Sequence, residues 1–257
     1  MRSGPASLAL AAALVGAPIQ ASAAAQPEPA EMVSAFDSGW DVLAFSIEKT
    51  WGDIATNRTL ESMTIEATLS FPASGDSAKY TLVRASDGRV YERVEAVGGR
   101  LQERGGDGET YWIRFNGGES RRIVGEDQLA IRRLADLYTE VDYRKYFPSC
   151  EYLGTVEFGG GTAHRVRRTD GLTGLAELRD YDGESGYLVR TIQKRLLPTG
   201  QEIDSPALFE DYRDVDGMKI PFRQIAGDGG ARQVLTVQRV LINRGLDEAL
   251  FELPEGF

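Results

Sequence analysis

Beyond residue 62 the chain is cut at short intervals by turn dipeptides, and this punctuation limits the fold more than any other feature. Asp87-Gly88, Gly98-Gly99, Gly117-Gly118, Gly159-Gly160-Gly161, Asp182-Gly183, Asp216-Gly217 and Gly227-Asp228-Gly229-Gly230 follow one another along the sequence. The runs between them are of strand length, and strand, Asp-Gly, strand is the hairpin signal. They cover 65–71, 79–84, 89–96, 110–115, 155–158, 164–168, 175–181, 188–196, 208–215, 218–225 and 234–241. In the first, Ile65, Ala67, Leu69 and Phe71 alternate with Glu66, Thr68 and Ser70, the mark of a strand with one wet face. With 29 glycines in 257 residues, the pattern predicts an antiparallel meander. The glycines at 98–99 and 105–108 are read as turns of it.

Helical periodicity occurs in two places. Met32, Phe36, Trp40, Leu43, Ile47 and Trp51 recur at spacings of three and four, which predicts a helix over 31–50 with Gly52 as its stop. Gly39 inside it costs about 1 kcal/mol relative to alanine, and a short turn of helix follows over 54–60. In 126–138, Ala130, Ile131, Leu134, Leu137 and Tyr138 share one face, opposite Arg132, Arg133 and Asp136. The order is therefore helix, about six strands, helix and further strands. Runs of strands with segregated helices indicate an α+β fold; residues 26–30 (QPEPA) read as a short lead-in, no linker divides 31–257, and 26–257 reads as a single domain.

The N-terminus predicts export. Arg2 is the only charge before Glu28, residues 8–15 (LALAAALV) are uninterruptedly apolar, and Ala21-Ser22-Ala23 offers small residues for a signal peptidase. Residues 1–25 are read as a signal peptide cleaved after Ala23, with Ala25 the runner-up. The apolar run is far shorter than the roughly 20 residues that span a bilayer. Cleavage leaves a periplasmic or secreted protein with no spanning segment. Cys150, the single cysteine, forms no intramolecular disulfide and reads as a small apolar filler rather than a reactive thiol.

The sequence argues against most chemistries. A net charge of −10 is unsuited to nucleic acid, whose affinity rests on Lys and Arg. No phosphate-binding loop or nucleophile elbow is present. The single histidine, His164, shares a strand face with Val166 and Arg168 and reads as a core-edge residue. Asp180, Asp182 and Glu184 space like the start of a calcium loop, but Ser185 and Thr191 stand where glycine and glutamate are required. No catalytic residue, metal or cofactor is assigned. The pairs Arg121-Arg122, Arg132-Arg133 and Arg167-Arg168 lie near Glu119, Glu126, Asp127 and Asp136, which reads as a solvated surface of mixed charge.

Two C-terminal segments carry a resemblance. Tyr212 to Phe222 (YRDVDGMKIPF) resembles the "acidic-Tyr-x-x-x-x-Gly-x-x-x-Pro" hairpin of the outer-membrane lipoprotein-sorting superfamily, the family of the periplasmic lipoprotein carrier. Asn243 to Pro254 (NRGLDEALFELP) resembles its closing "Asn-x-x-Leu-Asp-x-x-x-Phe-x-x-Pro" segment. Residues 126–143, Tyr152-Leu153-Gly154 and His164-Arg165-Val166 are similar to the family's middle. The resemblance implies a single large, strongly curved antiparallel sheet, a half-open β-barrel, with helices capping its concave face. It further implies a non-enzymatic carrier of lipid, lipoprotein acyl chains or another apolar ligand. The first helix would be the lid, and Phe36, Trp40, Leu43, Ile65, Leu69 and Trp112 are the expected cavity wall. The alternative is an envelope sensor or adaptor of the same fold that contacts a membrane-anchored regulator or protease through the Arg pairs and Cys150.

Overall fold

The computed structural model describes residues 36–196, 202–227 and 231–254. The export signal, Met32, and the glycines at 229–230 lie outside the described residues.

Helix α1 spans Gly39–Trp51, so it starts well after residue 31. Ser38 is its N-cap: the hydroxyl accepts from the Asp41 amide, satisfying an otherwise orphaned donor. Gly52 ends it, with its amide donating to the Glu48 carbonyl. The late start gives Gly39 a different role from the one expected. It is the first helical residue rather than an interior weak point, and it is buried against β7 (Ser149–Phe158). A Cβ there would stand 2.7 Å from Cys150 Sγ and 2.9 Å from the Cys150 carbonyl. Only glycine allows the helix to sit this close. Helix α2, Asp53–Asn57, follows at once.

Among the described residues beyond α2, the strands form one 13-stranded sheet that does not close into a barrel, in the spatial order β6-β5-β4-β3-β2-β1-β13-β12-β11-β10-β9-β8-β7. Two meanders build it. The first comprises β1 (Ser62–Phe71), β2 (Asp76–Ala85), β3 (Val90–Ala96), β4 (Leu101–Gly106), β5 (Tyr111–Phe115) and β6 (Arg121–Ile123). The second comprises β7, β8 (Gly161–Thr169), β9 (Ala176–Asp182), β10 (Leu188–Leu196), β11 (Glu202–Val215), β12 (Met218–Ala226) and β13 (Gln233–Ile242). The first strand pairs the last, with Ile65 opposite Val240 and Leu69 opposite Leu235, and a bulge falls at Glu66/Ala67. The two free edges, β6 and β7, are joined along the chain by α3 (Glu126–Ala135) and α4 (Tyr143–Tyr146).

The turn dipeptides act as expected where both central residues have positive φ, as at Gly159-Gly160 and Asp216-Gly217. Residues 105–106 correct the reading. They lie within β4, because a Cβ on Gly106 would fall 2.2 Å from the Tyr111 ring and one on Gly105 2.9 Å from the Trp112 ring. These glycines make room for the aromatic residues of the neighbouring strand.

Helices and sheet bury a layered core. On the helix-bearing face, Met63, Val240 and Ile242 pack with Leu60, Leu137 and Tyr138, flanked by Trp51 and Ile54. Beside them Leu82, Val90 and Tyr111 pack under Ile131 and Ala135 of α3. Val42 and Leu43 of α1 pack on Val166 and Tyr181. The opposite face of the first meander has its own cover. There Val83, Tyr91 and Trp112 lie under Phe251 from a 3-10 turn at Glu248–Phe251.

Both C-terminal motifs have structural work. Asn243 Oδ1 accepts from the amides of Glu61 and Ser62, at 2.7 and 3.2 Å, and its Nδ2 donates to the Thr59 carbonyl at 2.6 Å. The tail thereby fixes the start of β1. Tyr212 faces Pro221 across the β11–β12 hairpin, and its hydroxyl donates to the Leu188 carbonyl at 2.8 Å.

Candidate functional site

A cavity of about 240 Å3 lies between α1 and the second meander. Its apolar walls are Leu43, Ile47 and Trp51 from α1 and Leu188, Phe209 and Tyr212 from β10 and β11. Helical spacing turns the first three inward. The roof is held at both ends. At the start Gly39 abuts Cys150. Trp40 stacks on Tyr143 of α4 with centroids 5.3 Å apart, and the Arg144 guanidinium lies 4.5 Å over the Trp40 ring. At the far end Trp51 tilts against Tyr138, with centroids 6.0 Å apart.

The cavity also has a polar side, formed by Glu140, Arg179, Tyr181 and Lys219. Residues 168, 177, 179 and 193 project onto one face of β8, β9 and β10, with Arg168 opposite Glu177 and Gln193 opposite Glu177. Arg168, fully buried, donates from Nε to Glu177 at 2.7 Å. Arg179 donates from Nε to the other oxygen of Glu177 at 3.2 Å. Its Nη1 and Nη2 reach Glu140 at 2.7 and 3.2 Å, a two-point grip. Burial opposes ionisation of Glu177, but Arg179 and Arg168 outweigh it and hold the carboxyl down to about 2. Burial likewise acts against Glu140, and the same two arginines leave it below the usual carboxylate range. Both carboxylates are therefore charged near neutrality, and neither is poised to give or take a proton.

The other titratable candidates are equally committed. His164 is buried, its Nδ1 lies 3.0 Å from the Tyr152 hydroxyl, and its ring meets Phe36 edge-on at 4.7 Å. Desolvation pushes its pKa down, so it is neutral. Burial pushes the Cys150 thiol up to about 11, which agrees with the filler reading. Asp180 is buried between Arg165 and Arg190. Asp182 binds the turn amides of Glu184 and Ser185. No group of three metal-ligating side chains occurs among the described residues, and no helix among them is long and apolar enough to cross a membrane.

The expected wall residues are dispersed. Leu43 lines the cavity. Phe36 and Trp40 pack around the same cluster, Phe36 bordering an outer notch with Cys150 and Tyr152. Ile65 and Leu69 point to the helix-bearing face but belong to the packed core beside β2 and β3. Trp112 is corrected outright: its neighbour Tyr111 takes the inner face, so Trp112 faces outward beneath Phe251. Arg168 also departs from expectation, since it is wholly buried and unavailable to a partner protein. Arg167 remains outside, paired with Glu151 at 2.6 Å. The charged side of the cavity carried no sequence signal beyond strand alternation.

A wider cleft of about 1040 Å3 runs beside α3. Its rim is ionic, with Arg58 paired to Asp142, Lys145 to Asp136 and Arg133 to Asp170. Such a wall suits water better than hydrocarbon.

No protein-family model matches the chain, and no curated protein matches it. Solved structures do. A LolA-superfamily protein from Nitrosomonas europaea aligns with a TM-score of 0.58 and 13% identity, covering 85% of this chain and 99% of its own. A DUF1329 family protein from Desulfovibrio piger aligns with a TM-score of 0.61 and 14% identity, over 84% and 98% of the two chains. A putative outer membrane lipoprotein-sorting protein domain from Vibrio parahaemolyticus gives 0.55 and 10%, over 82% and 96%. The chain has the LolA-like fold.

Proposed function

We propose that the protein is an exported, periplasmic, non-enzymatic binding or carrier protein for a lipid or acyl chain, which it holds between α1 and the sheet. Residues 1–25 would be its export signal and 26–257 its single carrier domain. The observation that carries this reading is the apolar face of α1 closing a cavity on the inner side of an unclosed sheet. The likeness in fold to lipoprotein-sorting structures supports it, by analogy of architecture.

The cavity is smaller than the roughly 300–1,000 Å3 of small-molecule sites, so the described state is the closed one. Admission of an acyl chain requires α1 to lift. Lifting re-exposes Val42 and Leu43, at about 1.5–3 kcal/mol per side chain. An acyl chain offsets that cost because each buried methylene contributes about 0.8 kcal/mol. Gly52, with φ of 49° between α1 and α2, is the natural pivot, and α1 needs no other break. Leu43, Ile47 and Trp51 are the contacts proposed for the chain, with Phe36 and Trp40 sealing its outer end.

Native mass spectrometry on protein purified gently from the periplasm tests the proposal. Lipid that stays bound in the folded protein and leaves on denaturation is the expected result. A protein that is ligand-free and takes up no added lipid would overturn it.

A further inference from the structure

Behind Glu140 and Arg179, which line the cavity, a second guanidinium group is only half satisfied. Arg168 is fully buried, yet neither of its terminal nitrogens makes a hydrogen bond among the described residues. Its guanidinium lies 3.4 Å over the Phe147 ring, and its nearest further charge is Glu140 Oε2, 3.6 Å from Nη1. That same oxygen is 2.7 Å from Arg179 Nη1. One point in space therefore faces two buried guanidinium groups, and an acidic oxygen occupies it. Unmade bonds on a buried donor are costly, so the corner is short of acceptors.

The acceptor now present is a loop residue. Glu140 comes from the turn between α3 and α4, and its side chain is 41% exposed. Glu177, by contrast, is locked into the sheet by Arg168, Arg179 and Gln193. Glu140 can swing into solvent, and Glu177 cannot. With both carboxylates in place, two arginines face two anions. Removal of Glu140 alone leaves one uncompensated positive charge beside an apolar cavity.

We propose that Glu140 is a displaceable stand-in for a ligand anion, so that the bound molecule is an anionic amphiphile. Its carboxylate or phosphate would take the place of Glu140 between Arg179 and Arg168, and its hydrocarbon would lie along Leu43, Ile47 and Trp51. This rests on the lipid-binding function proposed above and specifies the head group. A phosphate brings more acceptor oxygens than Glu140 and reaches the unpaired Arg168 nitrogens. A neutral amphiphile cannot replace Glu140 without leaving a buried charge, and a cationic one is repelled.

Equilibrium binding of dodecanoate, dodecyl phosphate and dodecanol to the purified mature protein, and to its Glu140→Gln and Glu140→Ala variants, tests this. The unmodified protein should bind at least one anion about tenfold or more tighter than dodecanol, a difference of about 1.4 kcal/mol. Both variants should bind the anions tighter still and widen the anion-to-dodecanol ratio. Preference for dodecanoate identifies a fatty carboxylate as the source, and preference for dodecyl phosphate identifies a lipid phosphate. Equal affinity for dodecanol and the anions overturns the head-group assignment and leaves the lipid-binding function standing. Anion preference that the two folded variants do not enhance overturns the displacement of Glu140. If the variants do not fold, the anion-to-alcohol ratio of the unmodified protein still decides the head group. Failure of all three probes to bind overturns both readings.

Discussion

Gly39→Ala separates two physical effects of opposite sign at the root of the proposed lid. Helix propensity alone favours the alanine, by up to about 1 kcal/mol in a helix interior and less at a first helical position. Packing opposes it. The new Cβ would stand 2.7 Å from Cys150 Sγ and 2.9 Å from both the carbon and the oxygen of the Cys150 carbonyl, against about 3.5–4.0 Å for a relaxed contact. Two of those atoms are backbone in a paired strand, opposite Arg168, and they do not rotate aside. Overpacking of this kind costs about 1–3 kcal/mol. The net expectation is destabilisation by about 1–2 kcal/mol, with α1 displaced from β7. Urea unfolding measures it as a lower midpoint at an unchanged slope. Cys150→Ala in the same chain should recover only part of the loss, because the backbone contacts persist. A Gly39→Ala protein as stable as the original, or more so, would refute the close-approach argument.

Three further expectations concern the rest of the molecule. Glu177 is held at about 2, below its ordinary 4.5, so its contribution is present above about pH 4.5 and is lost as pH falls towards 2. The loss should be of order 3 kcal/mol, visible as a falling urea midpoint. Glu177→Gln should remove that slope and cost about 3–5 kcal/mol by leaving one buried guanidinium charge uncompensated, because Glu140 still pairs with Arg179. With its thiol raised to about 11, Cys150 should react slowly with a thiol reagent at pH 8 in the native protein and promptly once unfolded; equally fast native labelling would contradict the raised thiol. Phe251→Ala should cost about 3–5 kcal/mol, because Phe251 covers Val83, Tyr91 and Trp112, and thermal unfolding measures it; a negligible change would show that the C-terminal turn is dispensable.

Much of this architecture is legible in local chemistry. Strand β10 lies at 188–196 as the apolar pattern predicts, β12 runs one residue past its predicted end, and β13 extends one residue beyond its predicted bounds at each end. Those segments lie between unambiguous turns. Strand β4 escaped because glycine has two uses, and at 105–106 it serves close approach rather than turning. Strand β6, with its three residues, and α4, with four, are too short to show a period. The apolar period includes Phe36 and so predicts a helix from residue 31, whereas Ser38 caps α1 and starts it at Gly39. Alternation correctly separates Tyr111 from Trp112 and Arg167 from Arg168, but it does not say which face is inner. That choice is made by α3 and the C-terminal turn, through contacts distant in sequence. For the same reason the pairing of Glu140 with Arg179, 39 residues apart, is not legible in the sequence. Nothing in either local sequence indicates the other.

A lipid-like ligand seated under α1 should be visible in hydrogen exchange measured with and without ligand. Saturating dodecanoate or dodecyl phosphate should slow amide exchange in α1 and in the segments of β10 and β11 that carry Leu188, Phe209 and Tyr212. Exchange at α3 and its ionic cleft should be unchanged. Unaltered exchange in α1, or a change confined to the α3 cleft, would contradict it.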